Sequence, residues 1–212
     1  MSEITFQTVF TSDFVEGQRV VDPDLKEGQL ADTELYQCAF EGGTLAGSRF
    51  EHVVFEDCAF ENCDLSRITL KGCRAIGVRF VGCKLLGVHF SALASNPELS
   101  FEGCDLRYAV FDGLRLKGTR WLNCKLQDAS FNGCDLTQSD FSGSELLGAV
   151  FDGCQLAGAD LSTAVDLFLD PAKNRARDAF VAVDAAVQLA RSLGLRVAGY
   201  DGEKAARKKG RR

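Results

Sequence analysis

Residues Cys124–Phe151 read CKLQDASFNGCDLTQSDFSGSELLGAVF, and within this stretch a Leu or Phe recurs at every fifth position. The same five-residue step runs through residues 25–90 and again through residues 101–161, where Ala75 and Trp121 are the only exceptions to Leu or Phe. A period of five residues matches neither the 3.6 residues of an amphipathic helix nor the two residues of a strand. The chain is therefore predicted to be a repeat protein with one large buried residue in every five.

A second series, of small residues, stands two positions before the large residues. All nine cysteines occupy it, and Ala, Ser, Thr and Val fill most of the other places. Pairs such as Cys38 and Cys58 lie 20 residues apart, a spacing that a disulfide or a zinc site could also use. However, structural zinc needs four converging ligands, and free Cys behaves as a small buried hydrophobe. The nine thiols are therefore predicted to be reduced spacers in the core.

Fourteen of the 21 glycines stand two positions after a large residue. Glycine tolerates positive φ and commonly occupies the third position of a type II turn. A turn every five residues makes a four-sided coil, which returns over its own start after about 20 residues and pairs with the next coil at about 4.8 Å. The pattern predicts an all-β solenoid of about seven coils over residues 23–163. A register slip of one residue interrupts it at residues 91–100.

Both ends of the chain depart from the five-residue pattern. Residues 1–22 are predicted to cap the first coil, because exposed β edges recruit other chains. Residues 164–199 are predicted to contain a C-terminal α-helix from Ala172 to about Leu193, since Asp170-Pro171 is a helix-start signal. This helix either caps the last coil or joins two copies of the chain, and its small residues favour the second. Its predicted dimer-interface residues are Phe180, Val183, Val187, Ala190 and Leu193.

Charge is distributed unevenly along the chain. Residues 1–170 carry 26 acidic and 13 basic side chains, whereas residues 171–212 carry 4 and 11, and residues 200–212 are predicted to be a disordered basic tail. One stretch without Lys or Arg is predicted to form an acidic surface made of Asp128, Asp135, Asp140, Glu145, Asp152, Asp160, Asp166 and Asp170. Such a surface is either an ordinary solvated face or a mimic of duplex DNA, because DNA-binding grooves attract charges spaced along a rod. Direct nucleic-acid binding is not expected.

Several classes of function find no support in the residues. No apolar run approaches the roughly 18 residues that a membrane span needs, and no signal peptide precedes the repeats, so a cytoplasmic protein without membrane association is expected. The sequence has no nucleophile–base arrangement, phosphate-binding loop or zinc spacing, and its two histidines, His52 and His89, flank inward positions. The chain is therefore expected to have no catalytic, cofactor-binding or metal site, which disfavours a cysteine- or metal-dependent enzyme.

The repeat resembles the A(D/N)LXX motif of the pentapeptide-repeat family over roughly residues 23–163. This resemblance implies a right-handed, quadrilateral β-helix with a C-terminal α-helix. Some segments are similar to the albicidin-immunity and microcin-immunity proteins and, more distantly, to the quinolone-resistance (Qnr) proteins. These segments are CKLLGVHF at 83–90, LSFEGCDLRYAVFDGLRLKG at 99–118, the quoted stretch at 124–151 and ARSLGLRVAG at 190–199.

The resemblance to the immunity proteins implies a homodimeric DNA mimic that binds the A and B subunits of DNA gyrase and protects the enzyme from a poison. Topoisomerase IV is a further candidate target. The long projecting loops of many quinolone-resistance members are missing, which favours self-immunity of an antibiotic producer. Within the interruption, Ser95, Asn96, Pro97 and Glu98 either contact the partner or form a structural irregularity only. The rival hypothesis is a generic pentapeptide-repeat scaffold that binds some other protein.

Overall fold

Parallel ladders connect successive coils, because residues 20 positions apart stand above one another. The structure is a computed structural model that describes residues 12–94 and 96–200, together with the backbone of residues 2–3. The described residues form a β-solenoid of about 8 turns with one C-terminal helix, so the predicted fold class is confirmed. Each coil has four sides, which are numbered 1 to 4 in the order in which the chain reaches them from Phe14.

Short strands form sides 1, 2 and 4 of the N-terminal coils. Paired strands lie 20 residues apart in sequence on sides 1 and 4 and, apart from the pairs of Ser2–Glu3 with Gln18–Val21 and of Val78–Val81 with Leu99–Glu102, on side 2. Side 3 and most of the C-terminal coils are held by single parallel bridges. The strands of side 1 are β2 (Phe14–Glu16), β5 (Glu34–Tyr36), β8 (Val54–Glu56) and β11 (Arg74–Ile76). Those of side 2 are β1 (Ser2–Glu3), β3 (Gln18–Val21), β6 (Ala39–Glu41), β9 (Ala59–Glu61), β12 (Val78–Val81), β13 (Leu99–Glu102), β14 (Arg120–Leu122), β15 (Asp160–Leu161) and β16 (Phe180–Val181). Side 4 contains β4 (Gln29–Ala31), β7 (Arg49–Glu51) and β10 (Thr69–Lys71).

Two columns of stacked aromatic rings form the centre of the core. Side 2 stacks Phe40, Phe60, Phe80, Phe101, Trp121 and Phe141 with ring centroids 4.8–5.6 Å apart. Side 4 stacks Phe90, Phe111, Phe131 and Phe151 at 4.8–5.1 Å. The two columns meet edge to face, as Phe111 and Trp121 do at 4.8 Å. The buried residues confirm the predicted pattern of one large and one small inward residue in every five.

Each coil turns a corner after each large inward residue. The residue two positions after the large residue adopts positive φ there. Gly133 has φ of 69° there, and Asp128 has φ of 57°. In the C-terminal coils the turn is closed by a backbone hydrogen bond, as where Cys134 N donates to Phe131 O at 3.1 Å. This geometry is the one that a type II turn requires.

The solenoid begins earlier than the sequence pattern predicts. β2 and β3 fall within the predicted cap at residues 1–22, yet they pair in parallel with β5 and β6. Val15 and Val20 are buried at the large inward positions of this first coil. The Leu and Phe pattern does not extend to this coil, because both centres are Val. Residues 4–11 of the predicted cap lie outside the described residues.

One inserted residue accounts for the register slip at residues 91–100. Ala94 N still donates to Cys73 O, 21 positions earlier, whereas Asp105 N donates to Cys83 O, 22 positions earlier. A 3₁₀ turn at Phe90–Ala92 leads into the loop, and the Leu93 side chain after it is buried. The loop therefore replaces side 1 of one coil and leaves the stacking of the other sides intact.

The solenoid also continues past its predicted end at Thr163. β16 pairs with β15, and Arg175 bridges to Gln155, so residues 164–181 form one further coil. The helix α1 spans Val183–Ser192, and the prediction of a helix from Ala172 is wrong. The five-residue step is concealed here because the inward centre on side 1 is the small residue Ala176.

Asn174 holds the last coil to the coil before it. Its side chain is buried, with Oδ1 accepting from Cys154 N and Nδ2 donating to Phe151 O and Asp170 O, each at 2.9 Å. Asn174 stands in the small inward position that cysteine or alanine fills in other coils. It therefore provides hydrogen-bond partners for three backbone groups near the C-terminal end of the solenoid, where the ladder becomes less regular.

Replacing Asn174 by Ala is expected to destabilise the last coil by about 2–3 kcal/mol, because three backbone groups lose their partner. Amide hydrogen exchange at Cys154 should accelerate at least about tenfold, since its N–H would be left without an acceptor. Gln155→Ala, on the exposed surface next to it, is the matched control. Unchanged exchange at Cys154 would contradict this role of Asn174.

Helix α1 covers the C-terminal end of the solenoid. Val187 is buried, and Ala185 is half-buried against the core. A groove of about 540 Å³ remains between the helix and the last coil, lined among others by Asp166, Leu167 and Tyr200. In the described part of the chain, no helix has both the length and the apolar character to cross a membrane.

Candidate protein-interaction surfaces

The carboxylates between Asp128 and Asp170 surround the solenoid instead of forming a strip. Asp135 lies on side 1, Asp140 and Asp160 on side 2, and Glu145 on side 3, as their parallel bridges show. Asp152 follows the side-4 residue Phe151, and Asp128 and Asp166 occupy positions of positive φ. The structure brings only Asp140 and Asp160 together on adjacent coils of one side. We call this set the acidic collar: Asp128, Asp135, Asp140, Glu145, Asp152, Asp160, Asp166 and Asp170.

Several collar carboxylates are held in place by backbone hydrogen bonds. Asp140 Oδ1 accepts from Ser142 N at 2.9 Å and from Ser142 Oγ at 2.5 Å. Asp160 repeats this arrangement one coil further on with Ser162, at 2.9 and 2.6 Å. These hydrogen bonds lower the pKa of the Asp160 carboxyl, so it is ionised near neutral pH. The carboxylates of Asp140 and Asp160 are therefore held in fixed orientations.

The collar begins abruptly, because three ladders change from a basic to an acidic residue at the same coil. Arg115 bridges to Asp135, Arg120 bridges to Asp140, and Lys125 bridges to Glu145. Within the described residues, the one ion pair of a collar carboxylate joins Asp152 to Lys173 Nζ at 3.3 Å. Both partners are more than half exposed, so this pair contributes little.

A second surface is the apolar end, which comprises Val165, Phe168, Phe180, Val181, Val183, Leu193, Leu195 and Tyr200. These are eight of the fourteen large hydrophobic side chains that are exposed in the described residues, and they all belong to the last coil or the segment after it. Phe180 is 71% exposed beside Asp160 at the end of side 2. Concentrated exposed apolar area of this kind marks interaction sites in soluble proteins.

The five predicted dimer-interface residues have different environments. Phe180 lies on β16 and not on the helix, which corrects the prediction that placed it at helical spacing. Val187 is buried against the last coil, and Ala190 is half-buried. Val183 and Leu193 are 60% and 66% exposed. The part of the predicted set that is free to meet another molecule is therefore Phe180, Val183 and Leu193.

The predicted contact loop is only partly accessible. Asn96 and Glu98 are exposed, whereas Pro97 is buried and anchors the loop on the solenoid. Glu98 N donates to Ala75 O, and Val78 N donates to Glu98 O, both at 3.0 Å. Ser95 lies outside the described residues, as does the predicted basic tail from residue 201 onward.

The cysteine side chains occupy the small inward positions. All nine are buried and free. Thiols donate to carbonyl groups of the preceding coil, as Cys134 Sγ does to Phe111 O at 3.1 Å. Burial raises the pKa of Cys134 to about 12 and that of Cys73 to about 11, so these thiols are neutral near pH 7. Across residues 12–94 and 96–200, no three His, Cys, Asp or Glu side chains converge as metal ligands would.

One charged surface was not predicted from the sequence. A groove of about 560 Å³ beside the loop is lined by Arg79, Arg115 and Lys117. A count of charges by segment would have indicated it. Residues 1–64 hold 14 acidic and 3 basic side chains, residues 65–127 hold 4 and 10, and residues 128–170 hold 8 and none.

The chain matches two sequence families. The family described as pentapeptide repeats (8 copies) matches residues 33–72 and 54–91, and the family described as a pentapeptide repeat region matches residues 97–161. No curated protein sequence matches the chain.

Solved structures with a similar fold include a trypsin-treated variant of QnrB1, described as a plasmid-mediated fluoroquinolone resistance protein. It is 23% identical, with a TM-score of 0.52, over 87% of this chain and 89% of that chain. HetL, described as a pentapeptide repeat protein involved in heterocyst differentiation regulation from the cyanobacterium Nostoc, is 17% identical with a TM-score of 0.49. That match covers 79% of this chain and 86% of HetL.

The likeness to QnrB1 concerns the fold alone at this level of identity. The two family regions together cover residues 33–91 and 97–161, which is more than half of the 212 residues. They coincide with the coils in which five-residue sides stack on one another. The chain therefore belongs to the pentapeptide-repeat family.

Proposed function

We propose that this protein is a non-catalytic mimic of duplex DNA that binds DNA gyrase through the acidic collar and protects the enzyme from a poison. The observation that carries the proposal is the charge density of the collar. Its eight carboxylates belong to 43 residues without a base, or about two coils, which rise by about 10 Å along the solenoid axis. This is roughly one negative charge per 1.3 Å, compared with about one per 1.7 Å in duplex DNA.

The distribution of the collar around the solenoid also suits this role. Duplex DNA presents phosphates on every side, and the collar likewise presents carboxylates on all four sides. Fixed charges lose less entropy on binding than mobile ones, and Asp140 and Asp160 are fixed by Ser142 and Ser162. A basic DNA-binding surface would therefore meet a rigid array of negative charges.

Dimerisation through the apolar end is part of the proposal. Phe180 and Val183 adjoin the collar, so burying them between two copies would place two collars next to each other. The joined rod would then present two collars, one on each side of the joint. In this arrangement α1 both caps the last coil and joins two copies of the chain. Val187 packs on its own coil, while Val183 faces the partner.

The choice of gyrase rests on the resemblance of the repeats to immunity proteins and on the surface just described. QnrB1 is described as a fluoroquinolone resistance protein, and extending a related role to this chain belongs to the proposal. Topoisomerase IV is a second candidate target because it binds the same kind of duplex. We infer a cytoplasmic site of action, since the target enzymes work on the chromosome, and we favour self-immunity of an antibiotic producer.

The proposal is tested by measuring the affinity for gyrase of the wild type and the triple variant Asp140→Asn/Asp152→Asn/Asp160→Asn. Asn retains an acceptor oxygen for the Ser142 and Ser162 amides, so thermal stability should change little. Affinity should fall at least about tenfold at low salt, because three charges that meet the basic surface are removed. The difference between the two proteins should shrink at high salt, where charges are screened over a few ångströms.

The matched control for the collar variant is Glu56→Gln/Asp57→Asn/Asp64→Asn. It also removes three negative charges, but from the N-terminal coils, and Asp64 has the same type of backbone hydrogen bond, from Ser66 N. Its gyrase affinity should stay within about twofold of the wild type, because these charges lie outside the collar. Equal losses in the two variants would show that only net charge matters and would refute the collar.

A generic scaffold for another protein is the second candidate function. The reversal of charge at residues 65–127 favours it, because duplex DNA has no corresponding positive segment. Gyrase-mediated supercoiling in the presence and absence of a poison distinguishes the two functions. Protection by the wild type at micromolar concentration supports the mimic, and no effect on the enzyme supports the scaffold.

A further inference from the structure

The middle of the solenoid has the opposite charge to its two ends. Residues 65–127 carry an excess of six positive charges, between an N-terminal segment with an excess of eleven negative charges and the collar with eight. At about 4.8 Å per coil, this cationic belt extends for about 15 Å along the axis. Its ten basic residues are Arg67, Lys71, Arg74, Arg79, Lys84, Arg107, Arg115, Lys117, Arg120 and Lys125.

A groove lies in this belt, at the corner between sides 1 and 2 beside the inserted loop. Its volume is about 560 Å³, and its charged lining residues are Arg79, Glu98, Arg115 and Lys117. Arg79 lies on side 2 next to Ser100 of the following coil, and Arg115 lies on side 1. The buried Pro97 and Leu99 fix the loop, so the groove is already formed before any ligand arrives.

The cations of this groove have no acidic partner in the part of the chain that the structure describes. The ion pairs formed there involve other residues, and Arg115 Nη1 has only a 3.4 Å hydrogen bond to Asn96 Oδ1. Glu98 also lines the groove but forms no ion pair with Arg79, Arg115 or Lys117. Three exposed cations around one concave surface are therefore available to an anionic ligand.

We propose that this loop-side groove binds a short, extended acidic segment of a protein partner. An extended chain rises about 3.3 Å per residue, so the 15 Å belt accommodates four or five residues. Alternate side chains of such a segment point to one face and are about 7 Å apart, a spacing that lets successive carboxylates reach different cations of the groove. Acidic coils on both sides of the belt repel any longer polyanion.

The lining of the groove favours a peptide over a nucleic acid. Single-stranded nucleic acids are held by aromatic side chains that stack on bases, and the lining contains none. Duplex DNA would extend beyond the 15 Å belt and meet the acidic collar. The proposal does not depend on the collar's function, because it concerns a different surface and a ligand of opposite charge.

The test uses a fluorescein-labelled tetraglutamate peptide, which is short enough for the belt, and the full-length protein, with binding followed by fluorescence anisotropy at 50 mM salt. We expect saturable binding to the wild type and at least tenfold weaker binding to Arg79→Ala/Arg115→Ala/Lys117→Ala. The control Lys26→Ala/Arg49→Ala/Arg67→Ala removes the same charge from exposed positions outside the groove and should bind within twofold of the wild type. Glu98→Gln removes the groove's own carboxylate and should tighten binding about threefold.

Three results would overturn the proposal. The first is the absence of saturable peptide binding at 1 mM protein, and the second is an equal loss in the groove variant and the control variant. The third is tighter binding of a labelled three-nucleotide thymidine strand than of the peptide, which would assign the groove to nucleic acid. Thermal melting within about 2 °C of the wild type shows that each variant is folded, and Glu98→Gln tests the groove without removing any of its cations.

Discussion

Replacing Phe111 by Ala is expected to lower the free energy of unfolding by about 3–5 kcal/mol. Phe111 is fully buried and stacks between Phe90 and Phe131, with ring centroids 4.8 and 5.1 Å away. Its edge also contacts Phe101 and Trp121 on the neighbouring column. Removing the ring therefore leaves a cavity within the side-4 column and beside the side-2 column, and the rigid coils cannot move together to fill it.

Chemical denaturation of wild type and variant measures this effect directly. Tyr108→Ala is the matched control, since it removes an aromatic ring from the same coil at a position that is 58% exposed. The control should leave the denaturation midpoint nearly unchanged. A loss below about 1 kcal/mol for Phe111→Ala would mean that the aromatic columns are not the main source of stability.

The second large effect is expected at the apolar end. The double variant Phe180→Glu/Val183→Glu should convert the proposed dimer into monomers, weakening self-association by at least about 100-fold. Both side chains are exposed in the single chain, at 71% and 60%, so the change should not disturb its own core. Two buried negative charges in the joint would cost far more than the lost apolar contacts alone. Sedimentation equilibrium from nanomolar to micromolar concentration measures the shift.

The control for the dimer variant is Val21→Glu/Val81→Glu. These valines are exposed on side 2, far from the C-terminal coil, and the substitution introduces the same charge. It should leave the association constant unchanged. If the wild-type protein sediments as a monomer at micromolar concentration, the dimer proposal is wrong. Helix α1 would then only cap the solenoid, and each chain would bind through a single collar.

The repeat could be predicted from the sequence because the residues that determine it lie within one five-residue unit. The five-residue step fixes which side chains point inward, and the residue two positions later fixes the corner. The same logic failed where the centres are smaller, at Val15, Val20 and Ala176, since the period was recognised through Leu and Phe. In these coils the backbone ladder continues although the sequence signal has weakened.

The interaction surfaces were harder to predict because they depend on which side of the coil each residue occupies. A run of acidic residues in sequence becomes a collar in space, since consecutive repeats turn through about 90° at each corner. Arg79 and Arg115 are 36 residues apart, yet they line one groove because they lie on adjacent sides of the solenoid, beside the inserted loop. Phe180 had a convincing helical spacing, but pairing with Asp160 places it on a strand.

Displacement of a fluorescent DNA duplex from gyrase tests the central claim most directly. If the collar occupies the DNA-binding surface, the wild-type protein should displace the duplex completely at saturation. The Asp140→Asn/Asp152→Asn/Asp160→Asn variant should then need at least about tenfold more protein to do so. A stable ternary complex, in which gyrase retains its DNA while the wild-type protein is bound, would contradict the account.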